Sequence, residues 1–342
     1  MQANPPQTEL HRHLDISVRP ATLLELLQQR GLQAQSTSLA AFSEWLILRE
    51  PLADLGAVLE KFEVFQKIYD RPEVFERVGF EVVEDCWREG TRQVELRFSP
   101  AFACQESGLG WEDALSGFEA GIARAMRAYP GMRAGLLCIA SRDFGTEGAE
   151  RTTDFFLKNK NRFLGLDLAG NEALFPIRLF REPFRRAKAE GARITVHAGE
   201  TSGPEEIWAA IEELGAERIG HGVSSIRDPR LMAFLSKNAI CLELCPTSNR
   251  LTRAVDRIKD HPLPALLRAG VPVTINTDDP GMFGVSLPDE LRLCREVLGM
   301  SEAEIQETMA HADRSSFLHA SGLHASGLHA SGPHASGAVP QN

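Results

Sequence analysis

Short β-rich runs alternate with longer stretches whose apolar positions recur at helical spacing along most of this chain, the signature of a parallel sheet built from βα units. The runs are Glu9–Asp15, Gln93–Phe98, Ala134–Ala140, Phe163–Leu168, Arg193–His197, Arg218–His221, Ile240–Leu244 and Val271–Asn276. Eight is the number that closes a barrel, so the pattern predicts an α/β fold, a single-domain (β/α)8 TIM barrel. Amphipathic segments at Pro72–Glu89, Trp111–Ala128, Leu179–Glu190, Pro204–Leu214, Pro229–Lys237 and Pro262–Ala269 serve as crossover helices, with Pro or Gly near several ends. The first connection, Ile16 to Asp70, is long and carries helical patterns of its own with Trp45, Leu46, Phe62 and Phe65. Such an insertion could cover the barrel mouth as a lid or pack in the outer layer.

Periodicity stops near the C-terminus. From Leu318 a five-residue unit repeats, Leu-His-Ala-Ser-Gly and then Pro-His-Ala-Ser-Gly, which fits neither helix nor strand. The expected organisation is a barrel over residues 1–317 and a low-complexity, disordered tail over 318–342. His319, His324, His329 and His334 are flexibly spaced and offer no preorganised metal site.

A formal charge of −10 argues against a nucleic-acid backbone or an anionic membrane as partner, because both reward basic patches. A small-molecule substrate fits better. Met1 to Leu10 lacks a leader pattern, and no apolar run is long enough for a membrane span, so a cytoplasmic location is expected. The six cysteines are scattered, and the close pair Cys241 and Cys245 lies in an apolar strand run, where buried thiols are expected. Oligomeric state is left open.

The chemistry concentrates at strand ends. His11 and His13 are two apart and share one face of the first run; His197 and His221 close the fifth and sixth; Asp278 and Asp279 follow the eighth. The C-terminal ends of barrel strands converge at one mouth, so these side chains can meet. His11, His13, His197 and Asp278 form a nitrogen and oxygen ligand set that zinc accepts with a position open for water. Glu200, in His-Ala-Gly-Glu, is placed to donate a proton, although it could instead cap the next helix. His221 could orient or deprotonate an attacking water. Asp279 could accept a hydrogen bond from nucleophile or substrate, or merely open the Asp-Pro-Gly turn. The fourth run ends Leu-Asp-Leu-Ala-Gly-Asn-Glu without a lysine to bridge two metals, which points to one zinc per chain. Gly170 there could let a flat ligand approach its backbone N–H, or be a turn glycine.

These residues fall in seven motifs: His-Arg-His-Leu-Asp (11–15), Val-Glu-Leu-Arg-Phe-Ser-Pro (94–100), Leu-Asp-Leu-Ala-Gly (166–170), Thr-Val-His-Ala-Gly-Glu (195–200), Arg-Ile-Gly-His-Gly-Val (218–223), Cys-Pro-Thr-Ser-Asn (245–249) and Asn-Thr-Asp-Asp-Pro (276–280). In this order they resemble the adenosine deaminase family of the amidohydrolase superfamily, from about Thr8 to Phe317. The resemblance implies hydrolytic deamination of adenosine and 2′-deoxyadenosine to the 6-oxo purine nucleoside plus ammonia. It also implies zinc on His11, His13, His197 and Asp278, Glu200 protonating purine N1, and His221 positioning and helping to deprotonate the water that attacks C6. Asp279 would meet N7, Gly170 would offer its N–H to N3, and Asp15 would meet the sugar.

Two departures stand out. Ile16 replaces the glycine usual after His-Leu-Asp, which opens the 5′ end of the substrate to a modified nucleoside such as aminodeoxyfutalosine. The repeat replaces the family's charged final helix. Free adenine ranks lower because Asp15 is not a glutamate, and a catalytically silent nucleoside-binding relative should have lost one of the ligands or the acid.

Overall fold

The computed structural model describes residues 7–32, 38–52 and 55–319. Eight parallel strands follow one another around a single sheet: β1 (Gln7–His13), β2 (Thr91–Phe98), β3 (Arg133–Ser141), β4 (Gly165–Ala169), β5 (Ile194–Ala198), β6 (Arg218–His221), β7 (Cys241–Leu244) and β8 (Val273–Ile275). Just beyond β8, Asp278 N–H donates to His11 O at 3.0 Å and His13 N–H to Asp278 O at 2.9 Å, which ties the last strand to the first. The protein is a (β/α)8 barrel with helices around it.

The crossover helices begin and end where local chemistry stipulates. Pro72, Pro204 and Pro229 open their helices, where the missing N–H costs nothing. Gly90 and Gly215 close two of them in the left-handed conformation. Pro72–Glu89, Trp111–Ala128 and Pro204–Leu214 match their expected bounds.

Strand ends moved more. The expected Val271–Asn276 shortens to β8 because the chain leaves the ladder after Ile275 to reach β1. Ile240 lies outside β7: its N–H closes the preceding helix on Leu235 O. β1 ends at His13 rather than Asp15 because Ser17 N–H folds back onto His13 O. The expected helix Leu179–Glu190 is a 3-10 turn, Ile177–Phe180, followed by Arg181–Ala189.

The insertion after β1 contains three helices among the described residues, Pro20–Gln29, Leu39–Leu46 and Leu55–Gln66. Phe42, Leu46 and Phe65 are fully buried, so most of it belongs to the outer layer, while Val58 and Phe62 reach the cavity at the mouth. Leu318 is buried with Phe317 against Leu137 and Leu164, and residues 320–342, with His324, His329 and His334, lie outside the described residues. No helix among the described residues is long and apolar enough to cross a membrane.

The barrel interior is strongly polar. Arg218 pairs with Glu95 at 2.7 Å and Glu243 at 2.6 Å, and Arg97 pairs with Glu243 at 2.6 Å and Asp167 at 2.8 Å, all essentially without solvent exposure. Glu95 also accepts from Ser316 Oγ and from the Phe317 and Leu318 amides at the N-terminal end. A column of alternating charge thus runs up the axis and ends under the histidines at the mouth.

Candidate active site

Each strand end delivers its side chain as the pattern predicts. His11 and His13 come from β1, His197 from β5 and His221 from β6, with Asp278 and Asp279 on the turn after β8. Two of these residues hold unusual backbone, His221 at φ 60° and Asp278 at φ 67°. Left-handed conformation costs a non-glycine residue about 1 kcal/mol or more, and such strain collects at functional sites. At Asp278 the two hydrogen bonds to β1 hold the turn and aim the carboxylate between the histidines.

One donor atom from each of His11, His13, His197 and Asp278 falls within a common radius, all within 4.8 Å of one another. Asp278 Oδ1 is 3.1 Å from His11 Nε2 and 3.2 Å from His13 Nε2, and His13 Nε2 is 3.3 Å from His197 Nε2. The far nitrogens are spoken for: His11 Nδ1 lies 2.9 Å from Glu243 and His197 Nδ1 lies 3.1 Å from Asp167. Carboxylates in that position fix the tautomer and turn the Nε2 lone pairs inward. His11 Nε2 is buried without a hydrogen bond. Burial pushes His197 down to about 3, so its ring is neutral, as a ligand must be. Inward lone pairs, one carboxylate and an orphaned nitrogen fit a small divalent cation. Burial alone would raise Asp278, but the facing His11 and His13 hold it well below the usual carboxylate range.

Beside this cluster lies a cavity lined by polar and apolar residues. Its polar lining includes Glu200, His221, Asp279 and Gly170, and its apolar lining Val58, Phe62 and Phe283. Burial, reinforced by Asp278, lifts Glu200 to about 8, which leaves it protonated at neutral pH. Asp279 is raised well above its usual range by burial and by Asp278. His221 is lowered to about 4 by burial, and its Nε2 stands 3.6 Å from Glu200 Oε2.

The alternative readings of these residues fare differently. Glu200 caps no helix; its Oε1 accepts from Thr252 Oγ1 at 2.7 Å and from Asn249 Nδ2 at 3.2 Å. Asp279 does precede the turn Pro280–Phe283, yet its side chain makes no cap bond. Gly170 has φ 106°, a backbone conformation that favours glycine. Asp15 and Ile16 are not among the residues lining the cavity. Asp15 is buried and accepts from Ser99 N–H at 3.0 Å, and Ile16 packs in the hydrophobic core.

Several residues that the motif reading left without a role surround the site. Ser248 Oγ donates to Asp278 Oδ2 at 2.7 Å. Glu172 accepts from the Gly199 and Glu200 amides at 2.9 and 3.2 Å, holding the loop that carries the acid. Arg142 donates to His197 O at 2.7 Å. Cys245 sits with His221 and Asp278, its thiol kept protonated by burial.

A metal-competent cluster with a protonated carboxyl beside it, at the C-terminal mouth of a (β/α)8 barrel, defines a hydrolase of the amidohydrolase type. The chain belongs to the adenosine deaminase family, whose pattern matches residues 6–325. An adenosine deaminase of Shigella flexneri serotype 5b is 41% identical over 317 residues, 92% of this chain and 94% of that protein. Among solved structures, the adenine deaminase of Arthrobacter aurescens superposes with a TM-score of 0.85 at 28% identity, covering 92% of this chain and 94% of its own. A zinc-bound amidohydrolase of Burkholderia ambifaria gives 0.84 at 25% identity, covering 91% and 85%. The protein is an aminohydrolase that acts on the C6 amino group of a purine.

Proposed function

We propose that the protein hydrolyses adenosine, and 2′-deoxyadenosine, to the 6-oxo nucleoside and ammonia, using one zinc ion held by His11, His13, His197 and Asp278. The observation that carries the reading is a polar wall of donors. Glu200 is protonated at neutral pH, Asp279 is raised in the same direction, and Gly170 brings a backbone N–H. A purine ring edge at N1, N7 and N3 offers only acceptors, so each would receive a hydrogen bond.

Zinc bound at this site supplies Lewis acidity to a water molecule and lowers its pKa toward neutrality. His221 holds the oxygen of that water against C6. Glu200 gives its proton to N1 as the oxygen adds, so the ring nitrogen does not develop full negative charge. Asp279 hydrogen-bonds N7 and Gly170 hydrogen-bonds N3, which fixes the ring face. Val58, Phe62 and Phe283 cover it and exclude bulk water. The amino group departs as ammonia with the proton that the water loses on attack, and the second water proton returns to Glu200 as the C6–O bond becomes a carbonyl.

Purified, zinc-loaded protein should cause a loss of adenosine absorbance. Adenine and a 5′-modified nucleoside should turn over at least about tenfold less well in kcat/KM. Equal turnover of free adenine would move the assignment. Chelation should abolish turnover, and zinc at one equivalent should restore it. Glu200→Gln should retain zinc and lose roughly 10²-fold or more in kcat; near-normal turnover would show that another group supplies the proton.

A further inference from the structure

Behind the acid and the histidine lies a chain of hydrogen bonds whose direction is fixed from one end. Leu263 N–H, a backbone group that can only donate, points at His261 Nδ1 at 3.2 Å. His261 is buried and its pKa is lowered to about 3 by that burial, so the ring is neutral. With Nδ1 accepting, the ring proton is on Nε2, which lies 3.2 Å from Asn249 Oδ1. That contact orients the Asn249 amide: its oxygen faces His261 and its NH2 faces the active site. The amide nitrogen is 3.0 Å from His221 Nδ1 and 3.2 Å from Glu200 Oε1, one hydrogen for each.

Two consequences follow for the catalytic pair. An N–H directed at His221 Nδ1 requires a lone pair there, so the ring carries its proton on Nε2, the nitrogen that faces Glu200 Oε2 at 3.6 Å and Asp278 Oδ2 at 3.9 Å. An oxygen that accepts an amide N–H, with the Thr252 hydroxyl 2.7 Å away, is the carbonyl oxygen of the Glu200 carboxyl. The Glu200 proton then sits on Oε2, away from Asn249.

We propose that Asn249, oriented by His261, is a positioning residue that places the proton of His221 on Nε2 and the proton of Glu200 on Oε2. His221 then holds the nucleophile as a hydrogen-bond donor. The proposal rests on the deaminase reading for its kinetic consequence, but the placement of the two protons is a property of the free enzyme.

The test uses the zinc-loaded full chain with 15N-labelled histidine, and reads ring nitrogens by two-bond 1H–15N correlation. The His221 signal is identified by its loss in His221→Gln. In the wild type Nδ1 should be unprotonated and Nε2 protonated. In Asn249→Asp, which offers only acceptors in nearly the same shape, the His221 proton should move to Nδ1, with kcat lower by roughly 10²-fold and KM little changed. A wild-type His221 protonated at Nδ1 would overturn the proposal even if Asn249→Asp failed to fold. So would an Asn249→Asp variant with the wild-type tautomer and kcat. Wild-type protein that shows the expected tautomer but leaves adenosine intact sinks the deaminase reading and spares the proton placement.

Discussion

At the scale of single residues, burial sets protonation, and protonation sets what each group can do. Glu200 at about 8 can serve as an acid at neutral pH. Because the protonated form is the useful one, kcat/KM should be flat through neutrality and fall as pH rises through about 8, and Glu200→Gln should lose that limb. A profile still rising above pH 8 would rule Glu200 out as the donor. Glu290 is lifted to about 8 as well, chiefly by burial, far from any role in the proposed chemistry. Its Oε1 is buried without a partner, and its Oε2 accepts a long 3.4 Å bond from Thr247 N–H. Here the folded pKa exceeds the unfolded value of 4.5. Between 4.5 and about 8 the native state keeps a proton that the unfolded chain has lost, so stability falls as pH rises. The slope approaches about 1.4 kcal/mol per pH unit. Glu290→Gln removes it, so urea denaturation should show the variant gaining on the wild type from pH 5 to pH 8; parallel stability curves would refute this. The clustering of His11, His13, His197, Asp278, Glu200 and Asp279 is legible because a polar side chain at a strand end leaves a local mark. Asn249, Thr252 and His261 are not: Cys-Pro-Thr-Ser-Asn is visible as a motif, but what Asn249 touches depends on a histidine brought up by a later turn.

At the scale of elements, propensity and capping accounted for the helices better than for the strands. Pro72 at one end and Gly90 at the other bound a helix by covalent geometry, so its limits show in the sequence. β8 ends where the chain turns to bond β1, a tertiary event that the run Val271–Asn276 does not record. The packing of Pro72–Glu89 on Trp111–Ala128 was also hidden. Gly79, Gly117 and Gly121 let the two backbones approach so closely that a β-carbon at Gly121 would overlap Glu76 O, and one at Gly117 would lie 2.7 Å from Pro72 O. Helix propensity alone favours alanine at Gly121 by about 1 kcal/mol. Overpacking against backbone opposes it with a penalty of about 1–3 kcal/mol, because neither helix can yield without moving its neighbours. Gly121→Ala should therefore lower the urea midpoint despite its better propensity, with turnover per folded molecule unchanged. A raised midpoint would show that the helices separate easily.

At the scale of the whole molecule, the barrel places a charged column where many barrels place branched apolar side chains. The column begins at the N-terminal end, where the Phe317 and Leu318 amides and Ser316 Oγ close on Glu95. It continues through Arg218 to Glu243, which accepts from Arg97 and also fixes His11 Nδ1 at 2.9 Å. One carboxylate thus belongs both to the folding of the barrel and to the aim of an expected metal ligand. The strands Val-Glu-Leu-Arg-Phe and Arg-Ile-Gly-His gave these charges no visible partners, since partner choice appears only when the sheet closes. Removing one member should cost more than the pair contributes, because the remaining charge stays buried without compensation. Arg218→Met should lower stability by about 3–5 kcal/mol in urea denaturation, and Glu95→Gln by less, as its amide can still meet part of the network. If the two act as a unit, the double variant should be less destabilised than the sum of the singles by at least about 1 kcal/mol. Additive losses would mean that Arg218 stands on Glu243 alone. Zinc affinity adds a second readout, because Arg218 also donates to Glu243 Oε1 at 2.6 Å. A weaker hold on zinc in Arg218→Met than in Glu95→Gln would show that the column passes strain to the mouth through Glu243 and His11.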